Sequence, residues 1–109
     1  MSTLKIKYTA IQRLESDLTA KKIPHVFMDD GDGFKILYPE GGKKNRCIVR
    51  EHQFSVGHED DKLEMVGLLT DEERMADTGT KAAVCGNLDK DEVLRRILVD
   101  YEDENARME

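Results

Sequence analysis

Tryptophan is absent from this 109-residue sequence, and cysteine and proline occur only twice each. Cys47 and Cys85 lie too far apart to form a Cys-x-x-Cys redox or zinc motif, so core packing is the simplest role for both. No apolar run approaches the ~20 residues that a membrane span needs. The apolar segment of a signal peptide is also missing. We therefore expect a cytoplasmic protein that makes no contact with a membrane.

Charge is plentiful but unevenly distributed. The formal net charge is −6. Residues 40–50 carry four basic side chains and one acidic one, whereas residues 51–77 carry nine acidic and two basic ones. A net acidic chain disfavours general binding of nucleic acid, because neutralising phosphates requires surplus cations. This layout favours binding to another molecule over catalysis as the function.

Apolar periodicity predicts the elements of the first half of the chain. A helix is expected from Thr3 or Thr9 to Lys22, ending before Pro24. Its predicted apolar stripe comprises Tyr8, Ile11, Leu14 and Leu18. Three strands should follow, separated by turns at Asp29–Gly33 and Pro39–Gly42. The predicted strands are His25–Asp29, Phe34–Tyr38 and Arg46–Arg50, the last continuing through Phe54 and Val56 after a bulge.

The second half is predicted to be mainly helical. A short helical segment capped by Asp60 or Asp61 would carry Leu63, Val66 and Leu69. Thr70 and Glu73 fit a capping box, which predicts a further helical turn. A loop at Asp77–Thr80 and an edge strand at Ala82–Cys85 should precede the last helix, capped by Asp89. The apolar face of that helix comprises Val93, Leu94, Ile97, Leu98 and Tyr101.

This order predicts an α+β fold: an N-terminal helix, a three-stranded antiparallel meander, a short helical segment, an edge strand and a C-terminal helix. The helices should pack on one face of the sheet. We expect one domain over residues 1–101 and a frayed acidic tail over residues 102–109.

Two motifs resemble ligand-binding loops but fail in detail. An EF-hand alignment of the Asp29–Gly33 turn puts Met28 at the first ligand position and Pro39 at the last. The stretch Gly41–Lys44 lacks the spacing and the following Ser or Thr of a phosphate-binding loop. No catalytic signature is visible, so we expect a non-enzymatic protein without a cofactor.

The acidic segment supports the leading hypothesis, which is an accessory protein that binds a protein partner with a basic surface. One version is an inhibitor that occupies the nucleic-acid channel of a host nuclease or CRISPR effector. A plain solvated face rich in acid is the alternative interpretation. The predicted contact residues are Asp60, Asp61, Glu64, Asp71, Glu72 and Glu73.

Two other binding functions remain open. A nucleic-acid-binding module would use the basic stretch formed by Lys43, Lys44, Arg46 and Arg50. A small metal-binding protein would use two sulfurs and two imidazole nitrogens, from Cys47, His52, His58 and Cys85. The same cysteines and histidines could instead supply a Cys–His nucleophilic pair, although no third group that would orient them is visible. The sequence leaves the oligomeric state open.

Several short stretches resemble a family of small uncharacterised proteins from Gram-positive bacteria, often encoded near prophages or conjugative elements. The matching stretches are Ile23–His25, Phe54–Gly57, Leu63–Thr70 and Gly86–Leu88 with the following Glu92 and Val93. These stretches consist of turns, caps and apolar positions, so the resemblance implies a shared fold and no particular chemistry. It also favours a regulatory or counter-defence role.

Overall fold

Among the residues that the structure describes, five antiparallel strands form one sheet, and their spatial order is their order in the chain. The computed structural model describes residues 7–76 and 84–108. The strands are β1 (Val26–Asp30), β2 (Gly33–Tyr38), β3 (Cys47–Glu51), β4 (Leu63–Val66) and β5 (Val84–Leu88). The helices are α1 (Thr9–Ala20), α2 (Asp71–Ala76) and α3 (Lys90–Met108), with 3₁₀ turns at Gly42–Lys44 and His58–Asp60. The predicted α+β class is confirmed.

Helices α1 and α3 pack against each other and against the central strands. The core lies between this helical layer and one face of the sheet, called here the inner face. Strand register places alternate residues of each strand on that face, including Ile36, Val49 and Met65. All three are fully buried, as are Leu14 of α1 and Ile97 of α3.

The N-terminal helix forms where periodicity predicts it. The whole predicted stripe is buried, comprising Tyr8, Ile11, Leu14 and Leu18. The helix begins at Thr9 and ends at Ala20, not at Lys22. Lys22 has a left-handed backbone (φ 59°), and the next amide, of Ile23, donates back to the carbonyl of Leu18 at 3.0 Å. This left-handed C-terminal turn ends the helix before Pro24 is reached.

The predicted hairpin and its turn are also present. Asp30 pairs with Gly33, and the turn between them contains Gly31 at φ +63°. That backbone region is accessible to glycine at little cost, which explains the Asp-Gly sequence of the turn. Strand β2 alternates as predicted, with Phe34, Ile36 and Tyr38 buried.

The predicted helix over Leu63, Val66 and Leu69 is wrong, because Leu63–Val66 is strand β4. Leu63 and Met65 are buried on the inner face, whereas Val66 pairs with Ile48 on the opposite face. Buried residues therefore recur at every second position, as in a strand. The helix-like spacing of Leu63, Val66 and Leu69 is a coincidence over so short a segment. Two left-handed residues, Gly67 and Leu68, end the strand.

Strand β3 ends at Glu51 and does not continue through Phe54 and Val56 as predicted. The amide of Ser55 instead donates to the carbonyl of His52 at 3.0 Å and closes a turn.

The predicted capping box is present at the start of α2. The amide of Thr70 donates to Glu73 Oε1 at 2.9 Å, and the amide of Glu73 donates to Thr70 Oγ1 at 3.2 Å. The predicted loop at Asp77–Thr80 lies outside the described residues, as does Ala82 at the start of the predicted edge strand. Strand β5 lies at the edge of the sheet but runs on to Leu88.

Helix α3 continues past Tyr101 to Met108, where the sequence predicted a frayed tail. Arg46, which immediately precedes β3, explains this difference. Its guanidinium makes two 2.7 Å hydrogen bonds to Asp100 and lies 3.5 Å from Glu104. These contacts anchor the second half of the helix to the sheet. In residues 7–76 and 84–108, no helix has both the length and the apolar character needed to cross a membrane.

Candidate functional site

The connection between β3 and β4, residues 52–62, exposes an aromatic side chain. Phe54 is 81% exposed and Val56, two residues later, is 52% exposed. We call this segment the β3–β4 loop. Isolated exposed apolar residues are common on protein surfaces, so exposure alone indicates little. What distinguishes this loop is how firmly its backbone is held.

Backbone amides on both sides of Phe54 donate to fixed acceptors. The amide of Gln53 donates to Asp32 Oδ1 at 3.0 Å, and that of Phe54 donates to His52 Nδ1 at 3.1 Å. The amide of Val56 donates to Glu64 Oε1 at 3.2 Å. The loop is therefore braced by the β1–β2 turn on one side and by β4 on the other.

Ser55 forms the interior of the loop. Its side chain is buried, and its hydroxyl donates to the carbonyl of His52 at 3.0 Å while accepting from the amide of His52 at 3.1 Å. A hydroxyl bonded twice to one residue fixes a tight turn. The turn places Phe54 and Val56 on its outside.

Strand β5 holds the loop from a third direction. The amide of Asn87 donates to the carbonyl of Val56 at 3.2 Å. Gly86 packs so closely that a Cβ atom added to it would lie 2.4 Å from Val56 Cβ. Only a residue without a side chain allows this approach.

Acidic residues flank the exposed apolar pair. Glu59 and Asp60, in the 3₁₀ turn that follows, are both exposed. The amides of Asp60 and Lys62 both donate to the carbonyl of Gly57 at 3.0 Å, so this half of the loop is ordered as well. A shallow depression of about 310 Å³ runs from Phe54 to Asp60. The surface thus combines an apolar protrusion with negative charge.

Asp61 lies near the end of the loop, and its carboxylate contacts the start of helix α1. One of its oxygens accepts from the amide of Ala10 at 3.0 Å, and the other accepts from the hydroxyl of Thr9. A carboxylate is favourable at this position because the N-terminus of a helix carries partial positive charge. Burial alone would raise the pKa of Asp61, but hydrogen bonds with Glu51, Thr9 and Ala10 hold it below its ordinary value.

Glu51, at the end of β3, is fully buried beside Asp61. Its Oε1 accepts from the amide of Ile11 at 3.1 Å. Burial raises the pKa of Glu51 to about 8, and the neighbouring Asp61 acts in the same direction. Among the described residues, its second oxygen has no hydrogen-bond partner as long as both carboxyl groups are ionised. A proton on Glu51 would supply one, because the acid could then donate to Asp61.

The histidines of the loop are engaged by the backbone and by carboxylate. His52 Nδ1 accepts from the amide of Phe54, so the other ring nitrogen, 3.3 Å from Asp30 Oδ2, is the one placed to donate. His58 Nδ1 lies 2.7 Å from the carbonyl oxygen of Ser55. Because a carbonyl oxygen can only accept, Nδ1 is the ring nitrogen that carries a hydrogen in this contact. These contacts fix the geometry of the loop.

The six acids predicted as one contact face lie on different parts of the molecule. Glu64 is on the face of the sheet opposite the helices, paired with Arg50. Glu73 is bound by two 2.8 Å hydrogen bonds from Arg96 of α3, which hold its pKa at about 2. Asp71 pairs with Arg74 in the first turn of α2, and Glu72 of the same turn is exposed. Only Asp60 and Asp61 lie in the β3–β4 loop.

The predicted basic stretch is divided as well. Arg46 binds Asp100, and Arg50 Nε lies 3.5 Å from Asp30 Oδ2. Lys43 and Lys44 are exposed in the first 3₁₀ turn.

The four candidate metal ligands do not converge. Cys47 is the first residue of β3 and His52 follows its last residue, so five steps of ~3.3 Å separate them by roughly 16 Å. Cys47 is buried in the core, where burial raises the pKa of its thiol to about 12. Cys85 lies on β5, near Glu73, and burial likewise raises the pKa of its thiol. Within the part of the chain that the structure describes, no group of three His, Cys, Asp or Glu side chains could hold a metal ion.

Sequence reasoning missed Phe54, Val56 and Glu51. The sequence predicts that Phe54 and Val56 continue the third strand after a bulge, so it does not predict an exposed loop at these two positions. Burial of Glu51 had no local signal, because it depends on α1 packing over the end of β3.

Comparison of the chain with protein-family models, with curated proteins and with solved structures found no match. The resemblance to small proteins of Gram-positive bacteria therefore stays a prediction.

Proposed function

We propose that this protein is a non-enzymatic accessory protein that binds a protein partner through the β3–β4 loop. The observation that carries the proposal is the 81% exposed Phe54 on a backbone held by hydrogen bonds from three directions. The partner would present an apolar pocket for Phe54, bordered by basic side chains that face Glu59 and Asp60.

Pre-organisation is the energetic argument. A loop that must order on binding loses affinity to conformational entropy, whereas a loop already fixed does not. Burying an exposed phenylalanine side chain contributes about 1.5–3 kcal/mol. Aromatic anchors at the centre of an interface commonly account for about 2 kcal/mol or more of the binding free energy.

The flanking acids would act mainly on association rate. Exposed charges contribute little to the affinity of a formed interface, but they steer a partner of opposite charge. Glu59 and Asp60 are therefore expected to make association faster at low salt, since screening shortens the range of their field. In this proposal they take the role first predicted for the whole acidic segment.

An inhibitor of a nuclease or CRISPR effector remains one version of this function. A basic nucleic-acid channel with an apolar pocket in its wall would fit both the protrusion and the acids. Competition between this protein and nucleic acid for the partner is the expected behaviour in that version.

Three forms of the protein, used as bait in a lysate of the source organism, test the proposal. They are the wild type, Phe54→Ser and Met75→Ser. Met75 is a matched control because it is 76% exposed but lies on α2. Neither substitution should change stability by more than about 0.5 kcal/mol, since both side chains are exposed.

A protein retained by the wild type and by Met75→Ser, but at least tenfold less by Phe54→Ser, is the expected result. Its retention should also fall when Glu59 and Asp60 are both replaced by lysine. Equal retention by all three forms, or no protein retained specifically at about 50 mM salt, would overturn the proposal.

A further inference from the structure

The face of the sheet opposite the helices, called here the outer face, carries an apolar row that crosses all five strands. Val26 pairs with Leu37, Leu37 with Ile48, Ile48 with Val66, and Val66 with Val84. Partners in an antiparallel register point to the same side of the sheet. The row is about 19 Å long, given ~4.8 Å between neighbouring strands.

The row is only partly covered. Its end residues Val26 and Val84 are 38% and 36% exposed, and its three central residues are half-buried. Among the described residues, α1 and α3 pack on the inner face only, against β2, β3 and β4. A half-exposed apolar row of this length is a surface that another sheet could cover.

A second row lies beside the first and carries charge. Met28 pairs with Lys35, Lys35 with Arg50, and Arg50 with Glu64. Going from β2 to β4, this charged row therefore reads positive, positive, negative. Arg50, on the central strand, lies near Asp30, with its Nε 3.5 Å from Asp30 Oδ2.

We propose that the outer face is a homodimer interface, in which it packs against the same face of a second copy. A two-fold axis parallel to β3, between the two sheets, places β3 over its own copy and β2 over the copy's β4. Leu37 then lies over Val66, and Ile48 over Ile48. This arrangement matches the apolar rows along their whole length, as an isologous interface requires.

The same two-fold axis also places side chains of opposite charge against each other. This charge complementarity is the reason to propose a second copy of the chain as the partner on this face. Lys35 of each chain lies opposite Glu64 of the other, so two attractive pairs form across the interface. The two Arg50 side chains meet near the axis, where the Asp30 carboxylates offset their repulsion. An arrangement that placed Lys35 opposite Lys35 would oppose self-association through charge repulsion. The proposed arrangement avoids that repulsion.

The size of the outer face limits the affinity of the proposed dimer. Strands of about five residues give a face roughly 19 by 16 Å, which is small for a specific interface. We therefore expect a weak dimer, with a dissociation constant of roughly 10–500 μM. None of the residues of this face lies in the β3–β4 loop, although Glu64 accepts from the amide of Val56 in that loop. Self-association and retention of a partner by Phe54 are separate measurements, so either proposal can fail without the other.

Sedimentation equilibrium between about 5 μM and 1 mM tests the proposal. The wild type should shift from monomer to dimer over this range. Ile48→Lys, which puts two cations on the axis, should stay monomeric. Lys44→Glu makes a charge change off the face, in the first 3₁₀ turn, and should dimerise like the wild type.

Complementary charge variants make the test specific. In a dimer of Lys35→Glu each cross-pair would consist of two carboxylates, and in a dimer of Glu64→Lys it would consist of two ammonium groups. Each variant alone should therefore self-associate at least tenfold more weakly than the wild type. In an equimolar mixture, the heterodimer places the two carboxylates of one chain opposite the two ammonium groups of the other. Both cross-pairs are then opposite in sign, so mixing should restore association to near the wild-type level.

The double variant Lys35→Glu with Glu64→Lys supplies a second rescue, within a single chain. Exchanging the two charges makes both cross-pairs opposite in sign again, so dimerisation should return to near the wild-type level. A wild type that is monomeric at about 1 mM would overturn the proposal. Dimerisation unaffected by Ile48→Lys, or a double variant no more associated than the single ones, would overturn it as well.

Discussion

The contact between the buried Glu51 and the exposed Asp61 should give this protein an unusual pH dependence. In the folded state burial and Asp61 raise the pKa of Glu51 to about 8, from an ordinary value of 4.5. Between these two pH values the folded state holds a proton that the unfolded state releases. The free energy of unfolding must then fall as pH rises, by at most about 1.4 kcal/mol per pH unit.

Over the whole interval this loss approaches about 5 kcal/mol, which is a large part of the stability of a small domain. Asp61 does not counter the loss. Its folded pKa is lowered, so its contribution is complete above its ordinary value of 3.8 and is lost only on further acidification. Maximum stability is therefore expected near about pH 4–5, lower than for most small proteins.

Glu51→Gln isolates this effect. Glutamine keeps the shape of a protonated glutamate, can accept from the amide of Ile11 and can donate to Asp61. Urea unfolding at about pH 5, 6.5, 8 and 9 should show equal stability for both proteins at the lowest pH, within about 1 kcal/mol. At the highest pH the variant should be several kcal/mol more stable. Glu59→Gln, at an exposed loop position, is the control and should keep the wild-type slope.

A variant whose stability falls with pH as steeply as that of the wild type would refute this reasoning. So would a wild type whose stability is flat between about pH 5 and 8. Either result would mean that Glu51 is ionised in the folded protein.

Three further predictions concern the loop, the thiols and the helical layer. Gly86→Ala should displace Val56 and cost about 1–3 kcal/mol, because the new methyl group overlaps it; amide hydrogen exchange in residues 52–57 should become faster. In native protein at about pH 8 a thiol reagent should modify the half-buried Cys85 before the buried Cys47, which should react only after urea is added. Arg96→Met should lower stability by about 2–4 kcal/mol in urea, because it leaves a half-buried carboxylate without its cation. Simultaneous reaction of both thiols, unchanged exchange in the loop, or an Arg96→Met loss below about 0.5 kcal/mol would each contradict the contact concerned.

Local signals were sufficient for much of the fold. Helix α1, the first hairpin and the capping box at Thr70 each depend on residues close together in sequence, so their patterns are visible without the tertiary structure. Leu63–Val66 was misread because four residues cannot distinguish a period of 2 from one of 3.6. Pairing with β3 makes Leu63–Val66 a strand, and strand pairing depends on residues that are distant in sequence.

The candidate site was less predictable, for the same reason. Whether an acid is free to bind a partner depends on which cation the fold brings to it. Arg96 reaches Glu73 across 23 positions of sequence, and Arg46 reaches Asp100 across 54. Neither pairing has a local pattern. Phe54 is the opposite case, an exposed side chain on a fixed backbone. It stays 81% exposed because the hydrogen bonds that hold its loop are made by backbone groups, while its ring makes an edge contact with the His52 ring.

The most direct test of the central claim is photo-crosslinking from the β3–β4 loop. Benzoylphenylalanine at position 54 should crosslink the partner after irradiation, and the same group at position 75 should not. Crosslinking from position 54 should also be abolished by an excess of unlabelled wild-type protein, but not by an excess of Phe54→Ser. Equal crosslinking from both positions, or none from position 54 to a partner that the wild type retains, would contradict the account.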